Sequence, residues 1–443
     1  METGFKSIKR KILGAATIVG FFTILSQGGG FAKELTVAAW FGTGDAVDAF
    51  LIALLVPSFI VNILAGSISA SFLPTFIRVY RNLGLVGAQK VLTGVITGFL
   101  FFGLVLSVIL IVFTPLYLPA LCSGFSPEKL RLTRLILYAL TPIILLKGLS
   151  TICAGVLNAL DNFALAAILP ILGPLSAVFF IFTGGAFLGI YALVIGTILG
   201  FGLETVLISG AIIKRKFSLR PRLIGFDPHL RIVIGQFLPM TAGSILMGST
   251  ELVDKGMAAT LAPGSVAALN YGNKIIAAVL TLATTAIGTA VLPYFTRMVS
   301  EMDWENIRSI LKSYLSLIFA VGIPTAILIY VFSDSIVNII FQRGSFTAGD
   351  TAIVSAVQAY FAFQIPFYIG GIVVVRLISA LRANHILMWG AAINLVVNIG
   401  FNILFIHYFG LKGIALSTSF VYLISFLFLV YFANRLILQE ERM

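Results

Sequence analysis

The feature that leaves this chain least freedom is the length of its apolar runs. Segment after segment continues for about 20 residues or more with hardly a charge, which is what a helix needs to cross the hydrocarbon core of a bilayer. On that measure about twelve spans are predicted: 12–40, 46–77, 89–118, 130–158, 162–184, 188–213, 229–260, 266–297, 307–332, 350–381, 384–406 and 411–436. Composition agrees, because only 10% of the 443 residues are charged, against about a quarter in a soluble globular chain. The fold class expected is therefore an all-α polytopic membrane protein. The opening METGFKSIKRKILG runs into the first apolar segment without a small-residue cleavage site, so a retained first helix is expected.

An even number of spans puts both termini on one side, and the basic residues say which. With the N-terminus inside, the cytoplasmic segments hold Lys6, Lys9, Arg10, Lys11, Arg78, Arg81, the cluster from Lys214 to Arg231, Arg297, Arg308, Lys312, Arg382 and Arg435. The opposite side holds Lys129, Arg131, Arg134, Arg343 and Lys412. This is the positive-inside pattern, so both termini are predicted to be cytoplasmic. It also accounts for the net charge of +12, and nucleic acid drops out as a partner. No loop exceeds about 15 residues, too few for the extramembrane domain of a membrane-embedded glycosyltransferase or ligase. Cys122 and Cys153 have no metal or disulfide spacing. His229, His385 and His407 fall at predicted span ends, where interfacial anchoring explains them. No enzymatic chemistry is predicted.

The sequence repeats itself at half its length. Leu73-Pro74-Thr75-Phe76-Ile77-Arg78 answers Leu292-Pro293-Tyr294-Phe295-Thr296-Arg297 at an offset of 219. Val37-Ala38-Ala39 with Gly44 answers Met257-Ala258-Ala259 with Gly264 at 220, and Ala159-Leu160 answers Ala380-Leu381 at 221. Two pseudo-symmetric six-helix bundles are predicted, residues 1–213 and 229–443, joined by a basic cytoplasmic linker over 214–228. Parallel repeats of this kind mark transporters that hold substrate between the repeats.

Charge inside the spans is expensive, about 2.5–3.5 kcal/mol per residue on insertion scales, and so marks candidate sites. Lys33 and Glu34 lie in an apolar run after Gly28-Gly29-Gly30. Being adjacent, they point about 100° apart on a helix and are not expected to neutralise each other well; a packing ion pair is the competing reading. Asp48 opens the second span, where a carboxylate could equally cap a positive helix N-terminus. Glu251, Asp254 and Lys255 share one face of the seventh span at i, i+3 and i+4. Lys255 can neutralise only one carboxylate, leaving the other as a candidate ligand for a coupling cation or proton. Lys274 and Arg376 are cations placed to attract an anionic headgroup such as a diphosphate, while snorkelling is the expectation for Lys147. Asn394, Asn398 and Asn402 form a polar stripe at i, i+4, i+8, which either bonds a neighbouring helix or helps hold an ion.

Several of these stretches are familiar. Gly30-Phe31-Ala32-Lys33-Glu34, Phe41-Gly42-Thr43-Gly44, Val47-Asp48-Ala49-Phe50, Val56-Pro57 and Ser71-Phe72-Leu73-Pro74 resemble the opening signature of the MviN/MurJ family of lipid II flippases, within the multidrug/oligosaccharidyl-lipid/polysaccharide exporter superfamily. Tyr271-Gly272-Asn273-Lys274 and Phe341-Gln342-Arg343-Gly344-Ser345-Phe346-Thr347 resemble further family stretches. Where that family carries cavity arginines this chain has Lys33, Gln27, Asn62 and Lys274, and lysine lacks the planar fork that grips a phosphate bidentately.

The resemblance implies a flippase in a bacterial inner membrane that carries an undecaprenyl-diphosphate-linked glycan, lipid II or a related polysaccharide precursor, between leaflets by alternating access. Lys33, Glu34, Asp48, Asn62, Lys274 and Arg376 are the expected substrate-cavity residues. The resemblance also implies a sodium site among the seventh, eleventh and twelfth helices, which here points to Glu251, Asp254, Asn394 and Asn398, with sodium or protons as the coupling ion. Membrane lipids and the polyprenyl-diphosphate glycan are the expected partners, and no organic cofactor is expected. A cation-coupled multidrug exporter of the same superfamily is the alternative. The sequence holds no GxxxxGK[ST] loop, so ATP is not expected to drive the cycle directly.

Overall fold

The computed structural model describes residues 2–222 and 227–441, with the side chains of 2–19 and 285–293 outside that description. The basic cluster of the first residues, part of the expected linker and Leu292-Pro293 of the repeat motif fall there. The described residues are helical, with no strand: α1 Glu2–Phe41, α2 Asp45–Leu121, α3 Pro127–Leu140, α4 Ile143–Ala159, α5 Phe163–Ile168, α6 Leu172–Leu188, α7 Ile190–Lys214, α8 Pro228–Ala258, α9 Ser265–Ser300, α10 Trp304–Phe341, α11 Ala348–Ala362, α12 Gln364–Ala380, α13 Asn384–Phe409 and α14 Leu411–Glu441.

Among the described residues nine helices are long and apolar enough to cross a membrane, ten when α3 and α4, bent by 41° at their junction, are taken as one span. One of the nine is α2, whose 77 residues would reach about 115 Å at 1.5 Å per residue, several bilayer cores. It is broken at Gly84, where φ 64° and ψ −158° define a backbone essentially reserved for glycine. The predicted spans 46–77 and 89–118 lie on either side of that break.

The internal repeat is written in the backbone. Helix α4 ends at Ala159 and α12 at Ala380, and each begins 221 residues from the other, at Ile143 and Gln364. The residue two past each helix turns left-handed, Asp161 at φ 59° and Arg382 at φ 57°. Gly189 (φ 54°, ψ −133°) separates α6 from α7, as Gly410 (φ 59°, ψ −137°) separates α13 from α14. Even the caps correspond: Ser126 accepts the Lys129 amide at the start of α3, and Thr347 accepts that of Asp350 at the start of α11. A hydroxyl at such a cap satisfies an otherwise orphan N–H.

Packing divides the chain into two compact units. Unit one comprises the chain up to Phe41, Ala49–Leu121 and Phe125–Gly248; unit two comprises Gly42–Asp48, Cys122–Gly124 and the chain from Ser249 onward. Unit one thus takes in residues 229–248 of α8, a stretch that the sequence places in the second bundle. The reason is packing. Val233 is buried in the cluster built on Phe72, Phe76, Phe99, Ile152, Val156 and Ile208, Leu230 lies over Gly94, and the Ser67 and Ser244 hydroxyls are 3.2 Å apart.

Lipid tails are as apolar as leucine, so helices in a membrane associate through close packing and polar contacts rather than through the hydrophobic effect. Gly196 and Gly200 of α7 supply such a surface in unit one. A Cβ at Gly200 would stand 2.6 Å from Gly173 Cα, and one at Gly196 would stand 2.7 Å from Ala177 Cα. In unit two the buried aromatic rings of Tyr271, Phe341 and Phe346 pack with centroids 5.4–5.9 Å apart.

Candidate functional site

The seventh predicted span, α8, carries the charge the sequence flagged, and the structure separates its two carboxylates. Glu251 is committed to Lys255, Oε1 to Nζ 2.7 Å, one turn along the same helix. Asp254, three residues on, pairs with no lysine among the described residues. Its Oδ1 accepts the side-chain amides of Asn398 at 2.9 Å and Asn402 at 2.7 Å, both from α13. Its Oδ2 accepts the Thr418 hydroxyl from α14 at 3.1 Å. A single carboxylate is therefore held entirely by neutral groups.

The cage is built locally for obvious reasons. The i, i+4 spacing of Asn398 and Asn402 brings both amides onto the face that meets α8, and both residues are buried. Asn402 Nδ2 also lies 3.4 Å from Asn398 Oδ1, while Asn402 Oδ1 is buried with no hydrogen-bond partner. An orphaned acceptor beside a carboxylate is what a site for a hard cation leaves when its amides turn their N–H groups to the carboxylate. Turned about their terminal torsions, the two amides would present oxygens alongside Asp254 and Thr418. Five oxygens, one of formal charge, suit a monovalent hard cation. Protonation of Asp254 would satisfy the same cage with fewer partners.

Two of the four predicted ion-coupling residues are thus together, Asp254 and Asn398. Glu251 is neutralised by Lys255. Asn394 lies one turn away and bonds Ser425 at 3.1 Å, so its place is taken by Asn402. Thr418 was missed; its only signal in the sequence is the hydroxyl run Ser417-Thr418-Ser419 in an apolar helix.

The predicted cavity residues are dispersed in role. Lys33 and Glu34 do pair, at 3.0 Å, contrary to expectation; the four-carbon lysine stem reaches across an angle that short side chains could not. Glu34 is buried. Asp48 is also buried, and caps the start of α9: its Oδ2 accepts the Gly264 amide and its Oδ1 the Ala267 amide, each at 2.7 Å. A carboxylate there satisfies two orphan donors and meets the positive end of the helix dipole. Asn62 is exposed. Lys274 is half-buried on α9. Arg376, half-buried on α12, has its Nε buried without a partner.

Sequence reasoning missed Glu204. Lys147 does not snorkel: its Nζ lies 2.9 and 3.1 Å from the two carboxylate oxygens of Glu204, which Ser150 also donates to at 2.6 Å. The pair joins α4 to α7 within unit one. A cavity of about 390 Å³ opens between the start of α13 and the end of α14, lined by His385, Trp389, Phe428 and Arg435 among others. It contains none of the predicted site residues.

Comparison with known proteins came out as follows. The sequence profile of the family described as lipid II flippase MurJ matches residues 37–443. A probable lipid II flippase MurJ of Synechocystis sp. is 27% identical over 96% of this chain and 82% of its own length, and one from Rhizobium tropici is 27% identical over 90% and 77%. The lipid II flippase MurJ of Burkholderia cenocepacia is 24% identical over 82% and 72%. Among solved structures, a lipid II flippase MurJ in an inward closed conformation superposes with a TM-score of 0.82, at 23% identity over 96% of this chain and 90% of that one. An inward-facing multidrug transporter of the MATE family superposes at 0.74, with 16% identity over 97% and 99%.

Proposed function

The chain belongs to the lipid II flippase MurJ family, and on that premise we propose that it moves an undecaprenyl-diphosphate-linked glycan, lipid II in the first instance, from the cytoplasmic to the outer leaflet by alternating access. It is a multi-pass membrane transporter and not an enzyme. The positive-inside distribution supports cytoplasmic termini. Lys33, Lys274 and Arg376 are the cations proposed to hold the diphosphate.

The observation that carries the energy coupling is the Asp254 cage. A charge within the membrane with no counterion is costly, and the side chains that hydrogen-bond to this one are all neutral. Binding a sodium ion or a proton removes that cost, so occupancy of the cage biases α8 relative to α13 and α14. Each charge carried through 100 mV adds about 2.3 kcal/mol to the cycle. The cation is sodium on this reading, because two amides and a hydroxyl are more ligands than a proton needs. Asp254, Asn398, Asn402 and Thr418 would hold it.

The test is movement of fluorescent lipid II across the bilayer of proteoliposomes, with a sodium gradient, a proton gradient and a potential applied separately. Sodium-driven movement that disappears in Asp254→Asn is expected. Cation-driven dye efflux with no movement of lipid II would instead establish the multidrug-exporter reading, which the MATE-like fold keeps as the second candidate.

A further inference from the structure

The cavity between α13 and α14 is left over once the cage is assigned, and its walls change character along its length. On α13 it runs from His385 to Ile393 and on α14 from Phe428 to Gln439, about 12 Å of one helix and about 16 Å of the other at 1.5 Å per residue. Its polar groups gather at one end, where His385 of the first turn of α13 meets Arg435 and Gln439 near the end of α14. The other end is apolar, Ile393 and Phe428, with Trp389 and Phe432 between. Gly390 keeps the wall thin, since a Cβ there would stand 3.3 Å from the Phe428 ring, and Phe428 packs on Phe432 with centroids 4.7 Å apart. Trp389 is 62% exposed, so the cavity opens on the outer surface of unit two.

The charge at the polar end is uncompensated. Arg435 makes no ion pair among the described residues. Glu441 is taken by Arg308 at 2.6 Å, and Glu440, five residues past Arg435, falls about 140° round the helix. Arg382, at the left-handed turn before α13, adds a second cation at the same end. The distribution of basic residues makes this the cytoplasmic end. A cavity that is cationic at the membrane surface and apolar below it is complementary to an amphiphile with an anionic head.

We propose that this cavity binds an anionic phospholipid of the cytoplasmic leaflet, of the phosphatidylglycerol class, with its phosphate at Arg435 and His385 and one acyl chain along Trp389, Phe432 and Phe428. Its 390 Å³ falls within the range of ligand pockets, about 300–1,000 Å³, and basic pockets between membrane helices on the cytoplasmic side hold anionic headgroups in this way. The site goes beyond the flippase reading and does not depend on what the chain transports. An interfacial belt of Trp and Arg with no site would show no lipid preference that depends on Arg435.

Trp389 is the reporter. Purified full-length protein in mixed micelles is titrated with dibrominated phosphatidylglycerol or dibrominated phosphatidylcholine, and the quenching assigned to the cavity is that lost in Trp389→Phe. Half-quenching is expected at about fivefold less phosphatidylglycerol than phosphatidylcholine, the factor that corresponds to ~1 kcal/mol for one basic residue. Arg435→Gln is expected to abolish the preference and Arg435→Lys to keep it. Lys312→Gln, which alters an exposed cation outside the cavity, is expected to leave it at the parent value. Equal half-quenching by the two lipids in the parent overturns the proposal with no variant needed. So does a preference that survives Arg435→Gln in protein whose size-exclusion profile matches the parent. Displacement of the brominated lipid by undecaprenyl phosphate and not by unbrominated phosphatidylglycerol overturns it in favour of a carrier-lipid site.

Discussion

The Lys147–Glu204 pair makes the sharpest energetic prediction. Glu204 is 2% exposed while the Lys147 side chain is 28% exposed, so the two partners do not share the cost of separation equally. At about 3 Å and an effective dielectric near 20, their attraction is roughly 5 kcal/mol, most of which is offset by the desolvation of the two ions. The intact pair therefore contributes little net stability, but either ion left alone is expensive. Lys147→Met strands a buried carboxylate with only Ser150 as a donor, and removal of one member of a buried pair costs about 3–5 kcal/mol.

Glu204→Gln is milder, because glutamine still accepts from Ser150 and the Lys147 side chain is the less buried of the two. Its expected cost is about 1–2 kcal/mol, that of an ordinary buried hydrogen bond to a charged group. Lys147→Met with Glu204→Met replaces the pair by apolar groups of similar length and should recover most of the loss. At roughly 2–4 °C per kcal/mol for a unit of this size, Lys147→Met should melt about 6–20 °C below the parent. The assay is the fraction of monodisperse protein that survives a fixed heating interval, read by fluorescence-detected size exclusion. Equal losses in the two single variants, or a double variant that shows their sum, would refute the argument.

Three further outcomes are expected. Asn402→Leu should abolish sodium-dependent stabilisation of the purified protein, whereas Asn394→Leu, one turn outside the cage, should leave it at the parent level; a melting curve with and without sodium decides. Asp48→Ala removes the cap of α9 and should cost about 1–2 kcal/mol in the same heating assay, with Asp48→Asn intermediate because it keeps an acceptor. Gly200→Val would drive a side chain into the Gly173 backbone, where a Cβ alone meets Cα at 2.6 Å, and overpacking of this kind costs about 1–3 kcal/mol; a lower yield of monodisperse protein than from Gly202→Val, where no atom lies within 4 Å, checks it.

What could be read from the sequence was whatever has a period or a fixed offset. The apolar runs placed the helices, and the repeat at 219–221 residues reappears in the structure as paired turns that the sequence reading had not named, Asp161 with Arg382 and Gly189 with Gly410. The i, i+4 stripe put Asn394, Asn398 and Asn402 on one helix face, but it was the family resemblance and not the period that set Asn398 beside Asp254. What stayed hidden were partners set by long-range contact. Nothing local tells that Asp48 caps a helix beginning 217 residues later at Ser265, or that Glu204 waits for Lys147 across 57 residues. Nor does angular spacing on a helix predict the Lys33–Glu34 pair, because side-chain length rather than direction closes it.

The repeat also explains why one unit holds the cage and the other does not. At an offset of 220, Asp254 corresponds to Glu34, and at 221 Thr418 corresponds to Thr197, so each half places a carboxylate on its first helix and a threonine on its last. The two asparagines correspond to Ala177 and Ile181, which are fully buried and apolar. At the Glu34 position the carboxylate is instead ion-paired with the adjacent ammonium of Lys33 at 3.0 Å. In unit two the corresponding carboxylate, Asp254, accepts from the neutral Asn398, Asn402 and Thr418, and on the proposed reading it is this half that exchanges a cation.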